Sequence, residues 1–443
     1  MHQSLDKWLI NPVSRFIHNS TSSSKVLFLF TGLAIILSNS FLADSFLGFW
    51  DQKFTIGFSP DYVISKPLLL WINDGLMSVF FFVVGLELKR EIVAGELANP
   101  KKAILPIIAG IGGMAIPALI YWLFNYSQGG ESSTGWGIPM ATDIAFALGV
   151  LYMLGNRVPL SLKIFLTALA IIDDLGAVLI IAFFYTSEIS LGNLGIGFLF
   201  LLAMMGGNLL GVRSALFYGI LGIGGLWLAF LLSGVHATIA AVLAAFTIPA
   251  NLTISRAAYQ KKMNMLLHKY SKVSEEGRKI NTKEEQEIIS KIKEVTKGAL
   301  TPLQKLEHTL HPIVAFGVLP IFALANAGVT FSGDLSESLS NPVTMGIGFG
   351  LLIGKVVGIA GSIYLFERLR LIKLPDGLTH LHFLGVAFLG GIGFTMSLFI
   401  TSLAFDNEQN IIFSKIGIFI ASLTAGLMGY LVLRKACTKT TKV

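Results

Sequence analysis

The sequence predicts an all-α polytopic membrane protein with twelve transmembrane helices. Hydrophobic residues make up 53% of the chain and charged residues only 13%, with a mean hydropathy of +0.72. Soluble domains carry about 25% charged residues. Apolar stretches long enough to cross a bilayer recur along the whole chain, and positive charge collects on alternate loops between them. The lipid bilayer is therefore the predicted environment.

The twelve predicted spans share length and apolar composition, although the eighth is short. They fall at 25–43, 64–86, 103–124, 137–155, 161–185, 191–210, 214–232, 235–250, 312–331, 342–366, 380–404 and 411–433. The predicted organisation is a cytoplasmic N-terminal segment at 1–24, a twelve-helix domain at 25–433 and a basic cytoplasmic tail at 434–443. The N-terminus is polar and has no cleavable signal pattern.

Lysine and arginine alternate from loop to loop, which predicts the orientation. One set of loops includes Lys89, Arg90, Arg157 and Arg213, together with a large cluster between Arg256 and Lys305. The intervening loops are mainly acidic. Both termini are therefore predicted to be cytoplasmic, in a multi-pass membrane protein. The formal net charge of +7 follows from this topology and implies no nucleic-acid partner.

Two adjacent aspartates, Asp173 and Asp174, interrupt the apolar run 166–182. An ionised carboxylate near the bilayer centre costs from roughly 3 to over 10 kcal/mol, depending on the method of measurement. A second carboxylate beside it adds like-charge repulsion. Such a pair is tolerated where protons or cations neutralise it, so the pair predicts a cation- and proton-binding site.

The fourth predicted span contains Thr142 and Asp143 directly after two glycines and Pro139. Threonine and aspartate are typical residues at the start of a helix, and here they lie inside a spanning segment. This pattern predicts a broken helix. A kinked helix with a snorkelling aspartate is the alternative. The glycine-rich stretch 390–397 gives the eleventh span a similar weak point. Interrupted spans in both halves of a chain mark the binding site in secondary transporters.

Lys355 is a lone cation in the tenth predicted span. A buried ammonium requires a carboxylate partner or loses its proton. The candidate partners are Asp143, Asp173 and Asp174, and the sequence does not choose among them. A purely structural ion pair and a pair that opens when a cation takes the carboxylate are both compatible with this pattern.

Other polar residues lie at the ends of predicted spans. Asp74 is expected to be hydrated or hydrogen-bonded near the outer end of the second span, and His236 to have a structural role at an outer helix start. The remaining residues gather at the inner ends of the second and ninth spans: Glu87, Arg90, Glu91, Glu307, His308 and His311. A salt-bridge cluster is the default interpretation of the first three. For the two histidines, pH sensing is favoured over metal binding, because two ligands make a weak metal site.

Two loops have predicted structure. Residues 45–61 alternate aromatic and polar residues around turn formers, which predicts an external β-hairpin. The cytoplasmic loop 251–310 is rich in lysine and glutamate, and Ile288, Ile292 and Val295 share one face of a predicted amphipathic helix. A solvated linker is favoured over regulatory docking for this loop. The lone Cys437 excludes an intrachain disulfide and a cysteine metal site.

Several motifs resemble those of the bacterial NhaA sodium/proton antiporters, and they occur in order from about residue 25 to 433. They begin at Val84 (VGLELKRE), Ala141 (ATDIAFALG), Leu169 (LAIIDDLGA), Ser233 (SGVHAT), Leu306 (LEHTLHP), Ala325 (ANAGV) and Gly391 (GIGFTMS). These antiporters are themselves among the standard examples of the interrupted-span rule, so agreement with that rule is not independent evidence.

The resemblance implies the NhaA fold, with inverted repeats and two broken helices that cross at the midplane. It implies that Asp173 and Asp174 bind Na⁺ and H⁺, with Asp174 the more direct sodium ligand, and that Lys355 pairs with Asp173. Thr142 and Asp143 would lie at the crossing, and Asp143 and Lys355 would balance opposite helix dipoles. It further implies a pH-sensing cluster and a homodimer formed through the external hairpin. The pH-sensing residues would be Glu87, Arg90, Glu91, Glu307, His308 and His311.

The predicted activity is export of Na⁺, and of Li⁺, in exchange for H⁺ by alternating access, electrogenic and pH-regulated. The protein is expected not to be an enzyme and to have no resident cofactor. A sodium-coupled symporter is the nearest alternative, although no span offers an obvious polar pocket for an organic solute. A channel would require a continuous pore lining. An intramembrane aspartyl protease typically has a Gly-x-Gly-Asp motif, which is absent.

Overall fold

The computed structural model describes residues 20–57, 63–186, 189–273, 280–330 and 335–440. In this part of the chain, eight helices are long and apolar enough to cross a membrane, and up to eleven spans result if each bent helix pair counts as one. The protein is thus a mainly helical, multi-pass membrane protein, as the sequence predicts. Most of the predicted segment 1–24 lies outside the described residues.

The helices before the long loop are separated by short connections. They are α1 (Ser20–Ser38), α2 (Ala43–Asp51), α3 (Leu68–Ala94), α4 (Pro100–Asn125), α5 (Ile144–Met153), α6 (Leu160–Phe184), α7 (Leu191–Leu209), α8 (Ala215–Ser233) and α9 (Ala237–Thr247). A 3-10 helix, Gly130–Met140, precedes α5. It begins the first of the two interrupted segments described below.

The second half begins with two helices inside the long loop, α10 (Arg256–Val273) and α11 (Lys283–Ala299). The remaining helices are α12 (Pro302–Asn326), α13 (Leu335–Ser340), α14 (Pro342–Arg368), α15 (His380–Gly390), α16 (Phe394–Ala404) and α17 (Glu408–Thr440). The basic tail predicted from residue 434 therefore continues α17 as far as Thr440.

The helices are interrupted at both places where the sequence predicts weak points. The 3-10 helix and α5 meet at an angle of 40°, and α15 and α16 meet at 44°. Asp143 ends the first interruption as the N-cap of α5, because its side chain accepts a hydrogen bond from the backbone N–H of Phe146 at 3.0 Å. The two interruptions contact each other, since the Asp143 backbone N–H donates to the Ile392 carbonyl at 2.6 Å.

Glycines allow α4 to lie close to α6 and α14. A Cβ atom on Gly112 would lie 2.3 Å from the Gly358 carbonyl oxygen, and one on Gly110 would lie 2.6 Å from an Ile172 methyl group. Both distances are shorter than any real carbon contact, so only glycine fits. This approach brings the middle of α6, which bears the paired aspartates, next to the helix that bears Lys355.

The external hairpin differs from its predicted bounds, 45–61. Its strands are β1 (Lys53–Gly57) and β2 (Val63–Pro67), which pair antiparallel from Lys53↔Pro67 to Gly57↔Val63. The first part of the predicted range is instead the helix α2. Its aromatic residues Phe46, Phe49 and Trp50 follow helical spacing, and Trp50 makes edge contacts with both phenylalanines.

The ninth predicted span, 312–331, also has different bounds. Its helix, α12, begins ten residues earlier, at Pro302, and ends at Asn326. Thr301 forms a capping box with Gln304, and Pro302 occupies the first helical position. Glu307 and His311 are therefore helical residues one turn apart rather than members of a flanking turn.

Candidate cation site

Asp173 and Asp174 lie near the middle of α6 and are buried, with exposed fractions of 0% and 1%. The Oδ1 atom of each carboxylate is also buried and has no hydrogen-bond partner among the described residues. Buried polar atoms nearly always have a partner. Two orphaned carboxylate oxygens side by side in one helix therefore indicate that something outside the chain satisfies them.

Lys355 resolves the choice of partner that the sequence leaves open. Its Nζ atom lies 2.6 Å from Asp173 Oδ2, and both side chains are fully buried. The same Nζ donates to Thr142 Oγ1 at 3.0 Å. The Thr142 hydroxyl in turn lies 2.6 Å from Asp173 Oδ2 and 2.8 Å from the Gly390 carbonyl oxygen, and donates its single proton to one of them. The first interruption, α6, α14 and the end of α15 thus meet at one point.

Asp143 is the second buried acid at this junction, and its carboxylate joins two helix N-termini. Oδ1 accepts from the Phe146 N–H in the first turn of α5 at 3.0 Å. Oδ2 accepts from the Thr395 N–H in the first turn of α16 at 2.9 Å, and also from the Thr395 hydroxyl. A helix N-terminus carries roughly half a positive charge, so Asp143 lies where two such charges converge.

The arrangement can exchange one positive charge for another. Carboxylate oxygens are preferred ligands of hard cations such as Na⁺, and the same oxygens accept protons. Asp173 and Asp174 each present one buried oxygen of this kind, Oδ1, without a hydrogen-bond partner among the described residues. Among the described residues, no group of three or more His, Cys, Asp or Glu side chains is arranged to hold a resident metal ion.

A second polar cluster joins α3 to α12. Arg90 pairs with Glu91 at 2.9 Å and also with Glu307, and His311 Nδ1 lies 3.4 Å from Glu87 Oε1. His308 is exposed, and no ion pair or hydrogen bond joins it to the cluster within the described part of the chain. Glu307 and His311 are four residues apart and lie one above the other on α12, whereas His308 is turned about 100° around the helix from Glu307.

Asp74 and His236 have defined partners. Asp74 forms an ion pair with Lys66 of β2 at 2.9 Å, which ties the hairpin to α3. His236 lies at the start of α9, and its Nε2 is 2.8 Å from the Tyr185 carbonyl oxygen at the end of α6. Both contacts connect elements of the fold, and neither reaches the paired aspartates.

Two residues that contact the buried polar groups are not predicted from the sequence. Thr395 holds Asp143 through both its N–H and its hydroxyl, and Gly390 supplies the carbonyl oxygen next to Thr142. The sequence feature that points to them is the glycine-rich stretch 390–397, which contains both residues and in which one helix ends and another begins.

Together, the fold and these contacts define a multi-pass membrane protein with a buried acidic site at two helix interruptions, the architecture of an ion-coupled transporter. The family model described as Na⁺/H⁺ antiporter 1 matches residues 14–433. The chain belongs to this family.

Curated relatives support the assignment. A protein of Oleidesulfovibrio alaskensis named Na⁺/H⁺ antiporter NhaA is 48% identical over 433 residues, covering 98% of this chain and 95% of the relative. A protein of the same name from Sulfurimonas denitrificans is 45% identical, covering 96% of each chain. A Syntrophotalea carbinolica protein named Na⁺/H⁺ antiporter NhaA 2 is 46% identical, covering 98% of each.

Proposed function

We propose that this protein is a sodium/proton antiporter that exports Na⁺, and also Li⁺, in exchange for H⁺. The observation that carries the proposal is the pair of buried carboxylates, Asp173 and Asp174, each with an unpartnered Oδ1 atom. Relatives that span nearly the full chain bear antiporter names, which favours exchange over sodium-coupled symport.

The exchange follows from competition for the same oxygens. When the site faces the cytoplasm, the aspartates release protons and bind Na⁺ through their carboxylate oxygens. The loaded site then turns outward, where protons from a more acidic exterior displace the cation. Neither ion crosses alone, because each transition requires an occupied site. Two acids allow more protons to enter than sodium ions leave, so transport is electrogenic.

Lys355 supplies charge to the site when no cation is bound. Its ion pair with Asp173 at 2.6 Å keeps one of the two carboxylates neutralised in a buried setting. A sodium ion that binds the Asp173 oxygens competes with the Lys355 ammonium for them. When the ion pair opens, the ammonium keeps its hydrogen bond to Thr142 Oγ1, which lies 3.0 Å from Nζ. Cation binding thereby alters contacts between α6 and α14.

The fold suits alternating access. The eight long candidate spans, α1, the two bent pairs and α9 make twelve spans, arranged as inverted repeats with the interruptions crossing at the midplane. Movement of one helix bundle against the other then exposes the site to each side in turn. The alternating positive loops support an orientation with both termini in the cytoplasm, and the antiporter relatives support the bacterial inner membrane as the location.

The cation selectivity of the transport activity is tested in everted membrane vesicles. After respiration acidifies the lumen, Na⁺ or Li⁺ added outside is expected to dequench a pH-sensitive dye, because each ion enters the lumen in exchange for protons that leave it. K⁺ is larger than either of these ions and is expected to give no response. Equal dequenching by all three cations, or by none, would contradict the proposal.

The cluster between α3 and α12 is proposed to make transport pH-dependent. Protonated His311 is attracted to Glu87, which also interacts electrostatically with Arg90 and Glu307. This attraction weakens as the pH rises through the neutral range and the imidazole loses its charge. Contacts between α3 and α12 at the cytoplasmic entrance are therefore strongest at low pH, where the transporter is least active.

Replacement of His311 tests this pH dependence, and the neighbouring histidine offers a matched control. His311→Gln removes the titrating group, so the acidic limb of the activity-versus-pH profile is expected to flatten. His308→Gln makes the same change at a histidine with no contact to this cluster in the described structure, and is expected to leave the profile unaltered. Dye dequenching measured across the pH range checks both. An unchanged profile for His311→Gln would exclude a sensing role.

The hairpin is proposed to join two copies of the protein. Its β1 strand is exposed along its whole length, and an isolated hairpin is marginally stable in water. A second copy that continues the pairing would stabilise both. Deletion of residues 53–66 is expected to convert the dimer to a monomer in mass photometry, and an unchanged dimer would place the interface elsewhere.

A further inference from the structure

Helix α10 in the long loop is basic along its whole length. Between Arg256 and Val273 it contains four lysines and no aspartate or glutamate. Its neighbour α11 is different, since lysines and glutamates alternate there. Because the 18 residues of α10 include basic side chains and no acidic ones, this helix has a strongly positive surface potential. Helix α11 is close to neutral.

The basic side chains of α10 are all exposed. Tyr259, Met263, Leu266 and Tyr270 are buried or half-buried and share one face of α10 at helical spacing, and α10 packs against α11. All five cations are exposed: Arg256, Lys261, Lys262, Lys269 and Lys272. None of them forms an ion pair with another residue that the structure describes.

One stripe on the outer face combines charge with an apolar side chain. Lys261, Met265, His268 and Lys272 follow one another at helical spacing, opposite the face that packs on α11. Met265 lies in the middle of this stripe and is 51% exposed. Basic side chains around an exposed apolar residue are typical of helices that lie at a membrane surface.

The base of the α10–α11 hairpin is anchored next to lipid. Arg213 donates a hydrogen bond to the Asn251 carbonyl oxygen at 2.7 Å, which connects the start of the hairpin to the turn between α7 and α8. That turn presents two fully apolar side chains, Leu209 and Leu210, which are 88% and 86% exposed. The hairpin therefore starts beside an exposed apolar surface, of the kind that faces lipid in a membrane protein.

We propose that the outer face of α10 binds the anionic phospholipid headgroups of the leaflet beside it. Lysine and arginine are attracted to the negative surface potential of such a leaflet, within about one Debye length, ~10 Å at 0.1 M salt. Met265 enters the boundary between headgroups and acyl chains. Lipid binding by α10 does not depend on ion exchange. It rests on the proposed topology in one respect only, because that topology puts α10 beside the cytoplasmic leaflet.

A fluorescent label on α10 tests this binding in the intact protein. Met265→Cys carries an environment-sensitive dye, and Cys437→Ser removes the only other thiol. The labelled protein is placed in nanodiscs of phosphatidylcholine alone or with phosphatidylglycerol as about a third of the lipid. We expect acrylamide quenching of the dye to fall by about twofold in the anionic discs and to recover in about 0.5 M KCl.

Two charge-matched variants separate a specific face from overall charge. The first replaces Lys261, Lys262, Lys269 and Lys272 of α10 with glutamine, and the second replaces Lys283, Lys291, Lys293 and Lys297 of α11. Only the α10 variant is expected to lose protection by phosphatidylglycerol. Both are expected to retain sodium-dependent proton movement in vesicles, which distinguishes failure of lipid binding from failure of transport.

Three results would overturn the proposal. Equal quenching in the two lipid compositions would show that α10 does not contact anionic lipid. Equal loss of protection in the two quadruple variants would show an effect of net charge alone. Protection by added polyglutamate, without protection by phosphatidylglycerol, would indicate an acidic polypeptide as the partner instead.

Discussion

Asp174→Asn is expected to abolish sodium-dependent proton movement. The change preserves the shape of the side chain but removes its negative charge and its capacity to carry a transported proton. Asp174 is buried and its Oδ1 has no partner in the described structure, so the loss acts on the binding site and not on a contact that stabilises the fold. Dye dequenching by Na⁺ should drop to the level of vesicles that lack the protein.

A matched substitution controls for the chemical change. Asp376→Asn alters an exposed aspartate in the loop between α14 and α15 and should leave the response to Na⁺ unchanged. The two variants should be present in the membrane in equal amounts. Retained exchange in Asp174→Asn at wild-type rates would show that the cation binds elsewhere.

Lys355→Ala is expected to produce the largest loss of stability. Lys355 is fully buried and lies 2.6 Å from the fully buried Asp173. Removing one partner of a buried ion pair leaves an uncompensated charge and typically costs about 3–5 kcal/mol. Thermal unfolding of the purified protein in detergent at neutral pH should therefore begin at a clearly lower temperature than in the wild type.

A second substitution tells whether the uncompensated charge is the cause. Adding Asp173→Asn to Lys355→Ala removes the stranded carboxylate, so the double variant should recover part of the lost stability. Transport should be absent in the double variant, because one of the two acids is missing. A Lys355→Ala protein with wild-type stability and no exchange would instead assign the lysine to transport and not to the fold.

The acidic site was predictable from the sequence because charge inside an apolar run is costly wherever the helix lies. The cost identifies Asp173, Asp174, Asp143 and Lys355 without any knowledge of packing. The pairing of Lys355 was not predictable from the residues, since its candidate partners lie on other helices and the true one is 182 residues away. Close approach of α4 to α6 and α14, at positions where only glycine fits, brings the two together.

Errors in the predicted bounds come from reliance on hydropathy. The capping box at Thr301 and the proline at 302 indicate where α12 begins, but the turn that follows is polar and falls below a hydropathy threshold. Similarly, the aromatic spacing of 46–50 suits a helix as well as a strand. His308 illustrates a different limit, because adjacency in sequence placed it with Glu307 and His311 although it lies on another face of α12.

Direct measurement of proton release during sodium binding tests the central claim. Isothermal titration of the purified protein with NaCl, repeated in buffers of different ionisation enthalpy, gives the number of protons expelled by each bound cation. We expect release of protons, an apparent sodium affinity that falls as the pH is lowered, and loss of both signals in Asp174→Asn. Sodium binding without proton release, at an affinity independent of pH, would contradict competition between the two ions for one site.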